Sequence, residues 1–262
     1  MARRAAAGAA LGLVACGLVA CGLVACGLVA CGSSEAPGPP QPVCGQATAG
    51  FGHARPRAQC GPTADYTPIN QYTGPFLHAQ DNEDAVALID GNCTGTLIAA
   101  AAGPVVLTAG HCFPDGGTGL IEFNFEDAPD GDPLATMGTV VERADTPDFA
   151  LLALTRLPAI TPTQLTRTPS ARLAIIQHPR ARPKVIAEGD YLAECRGVLS
   201  YTDLDTDVGS SGAGVLTESG YLLGVHTDGD CKTDGSGLND GWSAEAIVAA
   251  SSYLTDSDLT DR

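Results

Sequence analysis

The sequence predicts an all-β protein, a sandwich or a pair of barrels, followed by one C-terminal helix. Three observations carry that expectation. Aromatic residues are sparse at 5%, whereas glycine (32) and proline (18) are abundant, a mix that suits many short strands and turns. From Asp84 onward, short apolar runs alternate with Gly, Pro, Asp and Thr at close spacing. Residues 243–254 carry Ala, Glu, Ile and Leu at helical spacing with no Pro or Gly, which predicts the helix.

The chain opens on Arg3 and Arg4 ahead of an Ala/Leu/Val run, the pattern of a secretory signal with its positive n-region. Within that run Leu-Val-Ala-Cys-Gly recurs four times, at Cys16, Cys21, Cys26 and Cys31. Each Leu-Val-Ala-Cys resembles the lipobox of bacterial lipoproteins, in which the cysteine is lipidated and becomes the mature N-terminus. Cys31 is the expected lipidation site, because the apolar run ends there and Gly32-Ser33-Ser34-Glu35 is polar. Two other readings remain at this stage: an uncleaved transmembrane anchor over residues 5–30, which is long enough to cross a bilayer, or a duplication without function.

The expected organisation is therefore a signal peptide over 1–31, a tether and N-terminal segment over 32–83, and one domain over 84–262. Residues 36–42 are too proline-rich for regular hydrogen-bonded structure and read as a semi-rigid spacer. The expected location is outside the cytoplasm, as a membrane-anchored lipoprotein of the bacterial cell envelope or a secreted protein. A net charge of −16 argues against nucleic acid as a partner and against a basic membrane-binding face.

Within the domain, strands are expected at 85–90, 94–99, 104–107, 120–125, 137–141, 149–154, 173–176, 184–187, 192–199, 213–217 and 221–226. Three of their ends carry chemistry. Val105-Val106-Leu107-Thr108-Ala109-Gly110-His111-Cys112 puts a histidine just past an apolar strand, where its imidazole can face a cleft with a near-neutral pKa. Asp148 heads the apolar run Phe149-Ala150-Leu151-Leu152, where a carboxylate needs a hydrogen-bond partner. Gly209-Ser210-Ser211-Gly212 places serine on a glycine turn, which lets neighbouring N–H groups share one small cavity with the hydroxyl. Each feature alone is also an ordinary turn or cap. The order His, Asp, Ser is one of the few that recur for a catalytic triad.

Leu-Thr-Ala-Gly-His-Cys, Asp-Phe-Ala-Leu-Leu and Gly-Ser-Ser-Gly in this order resemble the trypsin/chymotrypsin-like serine proteases, closest to the bacterial trypsin-like and glutamyl-endopeptidase-like branch. The resemblance runs from about residue 85 to the C-terminus. It implies two six-stranded antiparallel β-barrels with a C-terminal helix, and a polypeptide as substrate. It further implies Ser211 as nucleophile, His111 as base and acid, Asp148 as the carboxylate orienting the imidazole, and the N–H groups of Gly209 and Ser211 as an oxyanion hole. Ser210 is the competing nucleophile and falls at a structural position in the family register. That position holds Asp in the animal enzymes, so their activation ion pair is not implied.

For the substrate pocket the resemblance points two ways. Asp205 matches the residue that selects Arg or Lys, whereas Thr206 and His226 match those that bind an acidic side chain; the lean is to acidic residues at P1, the position before the cleaved bond. His178 is expected to be structural. A catalytically silent protease-fold lipoprotein acting as a binding module is the alternative of a different class. Outside the leader, Cys44, Cys60, Cys93, Cys112, Cys195 and Cys231 make an even count in an exported chain, which reads as three disulfides. The expected pairs are Cys93–Cys112, Cys195–Cys231 and, by elimination, Cys44–Cys60. No cofactor is implied, no metal-ligand spacing is present, and a monomer is expected.

Overall fold

Most central strands in this chain are apolar at successive positions, and the fold uses both of their faces. In the computed structural model, residues 58–262 except 77 and 130 are described. The leader repeat with Cys16, Cys21, Cys26 and Cys31, the spacer, and Cys44 lie outside the described residues.

In chain order the strands are β1 (Thr67–Pro68), β2 (Val86–Ile89), β3 (Cys93–Ile98), β4 (Val105–Thr108), β5 (Thr118–Phe123), β6 (Leu134–Asp145), β7 (Asp148–Leu154), β8 (Leu165–Thr166), β9 (Arg172–Gln177), β10 (Val185–Cys195), β11 (Val198–Thr202), β12 (Gly214–Thr217), β13 (Leu222–Gly229), β14 (Asn239–Ser243) and β15 (Leu259–Thr260). The α-helices are α1 (Ala79–Asn82) and α2 (Ala244–Ala250). β2-β3-β4-β7-β6-β5 closes into one antiparallel barrel. β12-β9-β10-β11-β14-β13 closes into a second through the β12–β13 pairing, with β1, β8 and β15 appended. Closure leaves no long edge in either barrel exposed for pairing with another chain.

Side-chain alternation explains the apolar runs. On β7, Ala150 and Leu152 point into the first barrel's core, while Phe149 and Leu151 point into the cluster shared by the two barrels. β4 divides the same way, with Val106 inside and Val105 and Leu107 between the barrels. On β9, Leu173 and Ile175 fill the second barrel, and Ala174 and Ile176 face the first. Each large aliphatic side chain so buried contributes roughly 1.5–3 kcal/mol. The shared cluster continues through Trp242 to Ile247 and Val248 of α2. Where the barrels meet, their strand ends and loops meet too.

The expected all-β class, the two barrels and the helix are found, with local corrections. The segment expected as one strand over 192–199 is broken into the end of β10 and the start of β11, because Arg196 and Gly197 both take positive φ and reverse the chain between them. β14 escapes the apolar pattern because its Asn-Asp-Gly start lacks alternation; it is held instead by pairing with β11 and β13. α2 ends at Ala250, short of residue 254. Ser243 caps it, accepting the N–H of Ala246. Among the described residues no helix is long and apolar enough to cross a membrane.

Two of the three expected disulfide pairings are also corrected. Cys93–Cys112 forms as expected, with 6.3 Å between Cα atoms, and ties β3 to the turn after β4. Cys231 pairs with Cys60, 4.7 Å away between Cα atoms, and not with Cys195; Cys60 is therefore not bonded to Cys44. The reason is the path of the N-terminal segment. Ala58 forms an antiparallel bridge to Thr206, and Gly61 N–H donates to Lys232 O at 3.0 Å, which lays Cys60 against Cys231. Cys195 is itself disulfide-bonded.

Candidate active site

Strand register brings the histidine and the aspartate together. β4 and β7 are antiparallel neighbours with Thr108 opposite Ala150, so the turn beyond Thr108 lies beside the start of β7. There the Asp148 carboxylate is used at both oxygens. Oδ1 accepts the backbone N–H of His111 at 2.9 Å, and Oδ2 lies 2.7 Å from His111 Nδ1. The turn is braced from behind by Arg143 Nε, which donates to Gly110 O at 2.8 Å. Burial lowers the His111 pKa, but the hydrogen bond and charge of Asp148, with Asp228 nearby, outweigh it; the net value lies above the ordinary histidine range. The ring so held has Nδ1 tied to a carboxylate and Nε2 available for proton transfer.

The Gly209–Gly212 turn of the second barrel is fastened to the first barrel through Thr94. Thr94 N–H donates to Ser211 O at 2.9 Å, and Thr94 Oγ1 donates to Gly209 O at 2.7 Å. The same Oγ1 accepts the N–H of His178 at 3.0 Å. Behind the turn, β13 supplies two more bonds: Gly212 N–H to His226 O at 2.8 Å and His226 N–H to Ala213 O at 2.9 Å. Gly209 and Gly212 have φ of +97° and +84°, a region open to glycine and strained for other residues. At Gly212 a Cβ would also lie 2.0 Å from Thr108 Oγ1, so glycine is required twice over.

Peptide planarity then decides where the amides point. In a trans peptide C=O and N–H are opposed. Val208 C=O accepts the N–H of Arg180 at 2.5 Å, which turns Gly209 N–H to the other side. Ser210 C=O accepts the N–H of Ala213 at 3.0 Å, which does the same for Ser211 N–H. Neither amide has a protein acceptor among the described residues. The two serines differ. Ser210 is fully buried, its Oγ accepting Asp207 N–H at 3.0 Å, whereas Ser211 is partly exposed.

A family profile described as "Trypsin-like peptidase domain" matches residues 93–225, just over half of the 262. The chain belongs to the trypsin-like peptidase family. No curated protein sequence matches it. Among solved structures, the serine endoprotease from Yersinia pestis is similar at 16% identity and TM-score 0.54, over 66% of this chain and 64% of that one. The Rv3671c protease from M. tuberculosis in its active form is similar at 18% identity and TM-score 0.55, over 77% of this chain and 93% of that one. These likenesses concern the fold; the chain spans less than two thirds of the Yersinia protein.

In this trypsin-like peptidase domain the three expected pocket residues are not equivalent. Asp205 is 3% exposed, and its two oxygens accept the N–H groups of Cys60 and Asp65, each at 2.6 Å. Its carboxylate holds the N-terminal segment and offers no open charge to a cationic side chain, which corrects the expectation of a charged pocket base. His226 is buried, its Nδ1 lies 2.6 Å from Tyr201 Oη, and burial lowers its pKa to about 3. Burial thus disfavours the charged form of the imidazole that the sequence reading offered to an acidic side chain. Thr206 is buried as well, with Oγ1 3.3 Å from Asn239 Nδ2. His178 is structural, as expected: burial lowers its pKa to about 4, and its Nδ1 lies 3.0 Å from Arg182 O.

Sequence reasoning missed two positioning residues of the peptidase domain. Thr94 was legible only as the residue after Cys93, itself bonded to the cysteine beside His111. Asn239, fully buried, has Nδ2 3.1 Å from Ala58 O and 2.8 Å from Leu204 O, while its Oδ1 accepts the N–H groups of Asp230 and Cys231. No motif in the sequence marks it.

Proposed function

We propose that the chain is an exported serine endopeptidase that cleaves polypeptides through an acyl-enzyme. The observation that carries this reading is the His111–Asp148 pair, with Nδ1 held 2.7 Å from the carboxylate next to the turn bearing Ser211. Ser211 Oγ attacks the scissile carbonyl carbon while His111 Nε2 takes its proton. The carbonyl oxygen becomes an oxyanion and is received by the N–H groups of Gly209 and Ser211. On collapse the C–N bond breaks, and the leaving amine takes the proton from His111. Water, deprotonated by the same imidazole, then hydrolyses the ester and releases the new carboxylate with Ser211 restored.

The pocket reading follows from its side chains. Arg or Lys selection lacks an open Asp205, and acid selection lacks a charged His226. An uncharged P1 side chain is the proposal left. Export, and a lipid anchor at Cys31 that makes the protein a monomeric cell-envelope lipoprotein, are proposed with it. The Cys60–Cys231 and Cys93–Cys112 bonds support export, since disulfides persist in oxidising compartments.

A fluorophosphonate probe tests the reading directly. Incubated with the purified full chain at neutral pH, it is expected to label Ser211, located by peptide mass mapping, and to lose that label in Ser211→Ala and His111→Ala. An unlabelled Ser211 in the wild-type protein sinks the enzyme reading in favour of a silent binding module. The pH profile gives a second test. Asp228 supports the charged form of His111, so Asp228→Asn lowers the His111 pKa. The base then stays neutral to more acidic pH, and the acid limb of kcat/KM moves down the pH scale. An unmoved limb, or one moved upward, contradicts the assignment of His111 as the base.

A further inference from the structure

We propose that Lys184 is a positioning residue for the oxyanion hole, buried against Glu83 and Glu126 of the first barrel so that the loop carrying Arg180 holds the Gly209 amide in place. The inference rests on the endopeptidase reading above and deepens it, by naming what keeps that site formed.

The mechanism uses none of these three charged side chains, yet all of them are buried. The side chains of Lys184 and Glu126 are 0% exposed and that of Glu83 3%. An ammonium has three donors, and three oxygens stand around this one. Nζ donates to Glu83 O at 2.8 Å and to Glu83 Oε2, and it lies 3.1 Å from Glu126 Oε2. Burial pushes the Glu83 carboxyl up to about 7. At Glu126 burial acts the same way, but the Lys184 charge outweighs it and holds that carboxyl below the usual range. Taking such charges out of water is costly, and apolar side chains of similar volume often serve stability as well or better. What the cluster supplies is a fixed position, since an ammonium bonded on all sides cannot slide as an apolar chain can.

The position it fixes is that of one loop. Glu83 precedes β2 and Glu126 follows β5, neighbouring strands of the first barrel with Ala87 opposite Phe123. Lys184 ends the loop 178–184 of the second barrel, which joins β9 to β10 where Gln177 lies opposite Val185. Its backbone is pinned too: Lys184 N–H donates to Phe125 O at 2.9 Å, and Lys184 O accepts Ile69 N–H at 3.3 Å. At the other end of the loop the His178 ring stacks on Phe125, with 5.9 Å between centroids. Between these anchors Arg180 and Ala181 take φ of +56° and +52°, a strained region that non-glycine residues keep only where their surroundings hold them. This strained segment meets the oxyanion turn. Arg180 N–H donates to Val208 O at 2.5 Å, and Arg180 Nε to Asp207 Oδ2 at 2.7 Å. A Cβ on Gly209 would lie 2.6 Å from His178 O, so loop and turn pack without a gap. C=O and N–H oppose each other across a peptide, so the Arg180 bond to Val208 O aims Gly209 N–H at the oxyanion. Lys184 acts through that bond.

The test uses the full chain with the three side chains made apolar together, Glu83→Leu, Lys184→Met and Glu126→Leu, so that no charge is left buried alone. This triple variant is expected to keep the circular dichroism and Tm of the wild type. Its kcat on a peptide anilide, counted per Ser211 labelled at completion, is expected to fall about 10–100-fold with KM within about threefold, since outright loss of one oxyanion donor costs about 10²–10³. Fluorophosphonate labelling of Ser211 slows in parallel. A folded triple variant whose kcat and labelling rate stay within about threefold of wild type overturns the role of Lys184. Where the triple variant does not fold, Glu126→Gln decides, because it keeps the shape and removes only the charge facing Lys184. It is expected to lower kcat per labelled site about 3–10-fold, and a value within about twofold of wild type overturns the proposal. Either failure leaves the enzyme reading intact as long as the wild-type Ser211 labels. A wild-type protein that neither labels at Ser211 nor cleaves any peptide overturns the enzyme reading and this inference together.

Discussion

Asp148→Asn is expected to lower kcat by about 10⁴-fold at neutral pH while leaving the fold in place. The reason lies in the two donors that its carboxylate serves. Oδ1 takes the His111 backbone N–H at 2.9 Å, and Oδ2 faces Nδ1 at 2.7 Å. An asparagine has one acceptor oxygen where two are needed. The backbone N–H cannot change its role, so the amide oxygen stays with it and the NH₂ turns towards Nδ1. Nδ1 must then accept, which moves the ring proton to Nε2 and removes the lone pair that would take the proton of Ser211. Steady-state kinetics on a peptide substrate, with circular dichroism to show an intact fold, checks this. A loss of less than about tenfold would mean that the carboxylate does not set the tautomer.

The stretch most legible in the sequence was the one with regular physics behind it. β4 over 105–107 and β7 over 149–154 are apolar at every position because each packs one face into its own barrel and the other against its neighbour. That doubled burial makes a run conspicuous, and the residues at its end, His111 and Asp148, stand out against it. Cys93–Cys112 was legible because the two cysteines flank the consecutive strands β3 and β4. Less legible were features made by contacts distant in sequence. The Cys60–Cys231 bond spans 171 residues, and nothing in cysteine spacing separates it from the pairing with Cys44. Asp205 sat at a position whose usual role is recognition, yet its partners are the amides of residues 60 and 65, which no local pattern reveals. His226 likewise read as a ligand until its burial against Tyr201 was known. Chemical type was evident for all three; the direction each side chain faces was not.

Thr94 is the residue whose loss tests the oxyanion turn without touching the triad. Thr94→Val keeps the shape and the backbone bond to Ser211 O but deletes Oγ1, which lies between His178 N–H at 3.0 Å and Gly209 O at 2.7 Å. A donor and an acceptor are thereby left buried without their partner, at about 1–3 kcal/mol each. Gly209, with φ of +97°, has the freedom to relieve that cost by rotating its peptides. Its N–H keeps the hold that Arg180 has on Val208 O, but the restraint on the following peptide is gone, so the oxyanion donor is held less rigidly. Removing one such donor outright typically costs about 10²–10³ in turnover, so an indirect loss through Thr94 is expected to lower kcat by roughly 10–100-fold. KM should change little, because the ground-state carbonyl depends less on that donor than the developing oxyanion does. Fluorophosphonate labelling of Ser211 should slow in parallel, and Thr94→Ser, which restores the hydroxyl, should recover most of the rate. A structural role alone would lower Tm in both variants and leave kcat per labelled site unchanged; that result would detach Thr94 from the oxyanion turn.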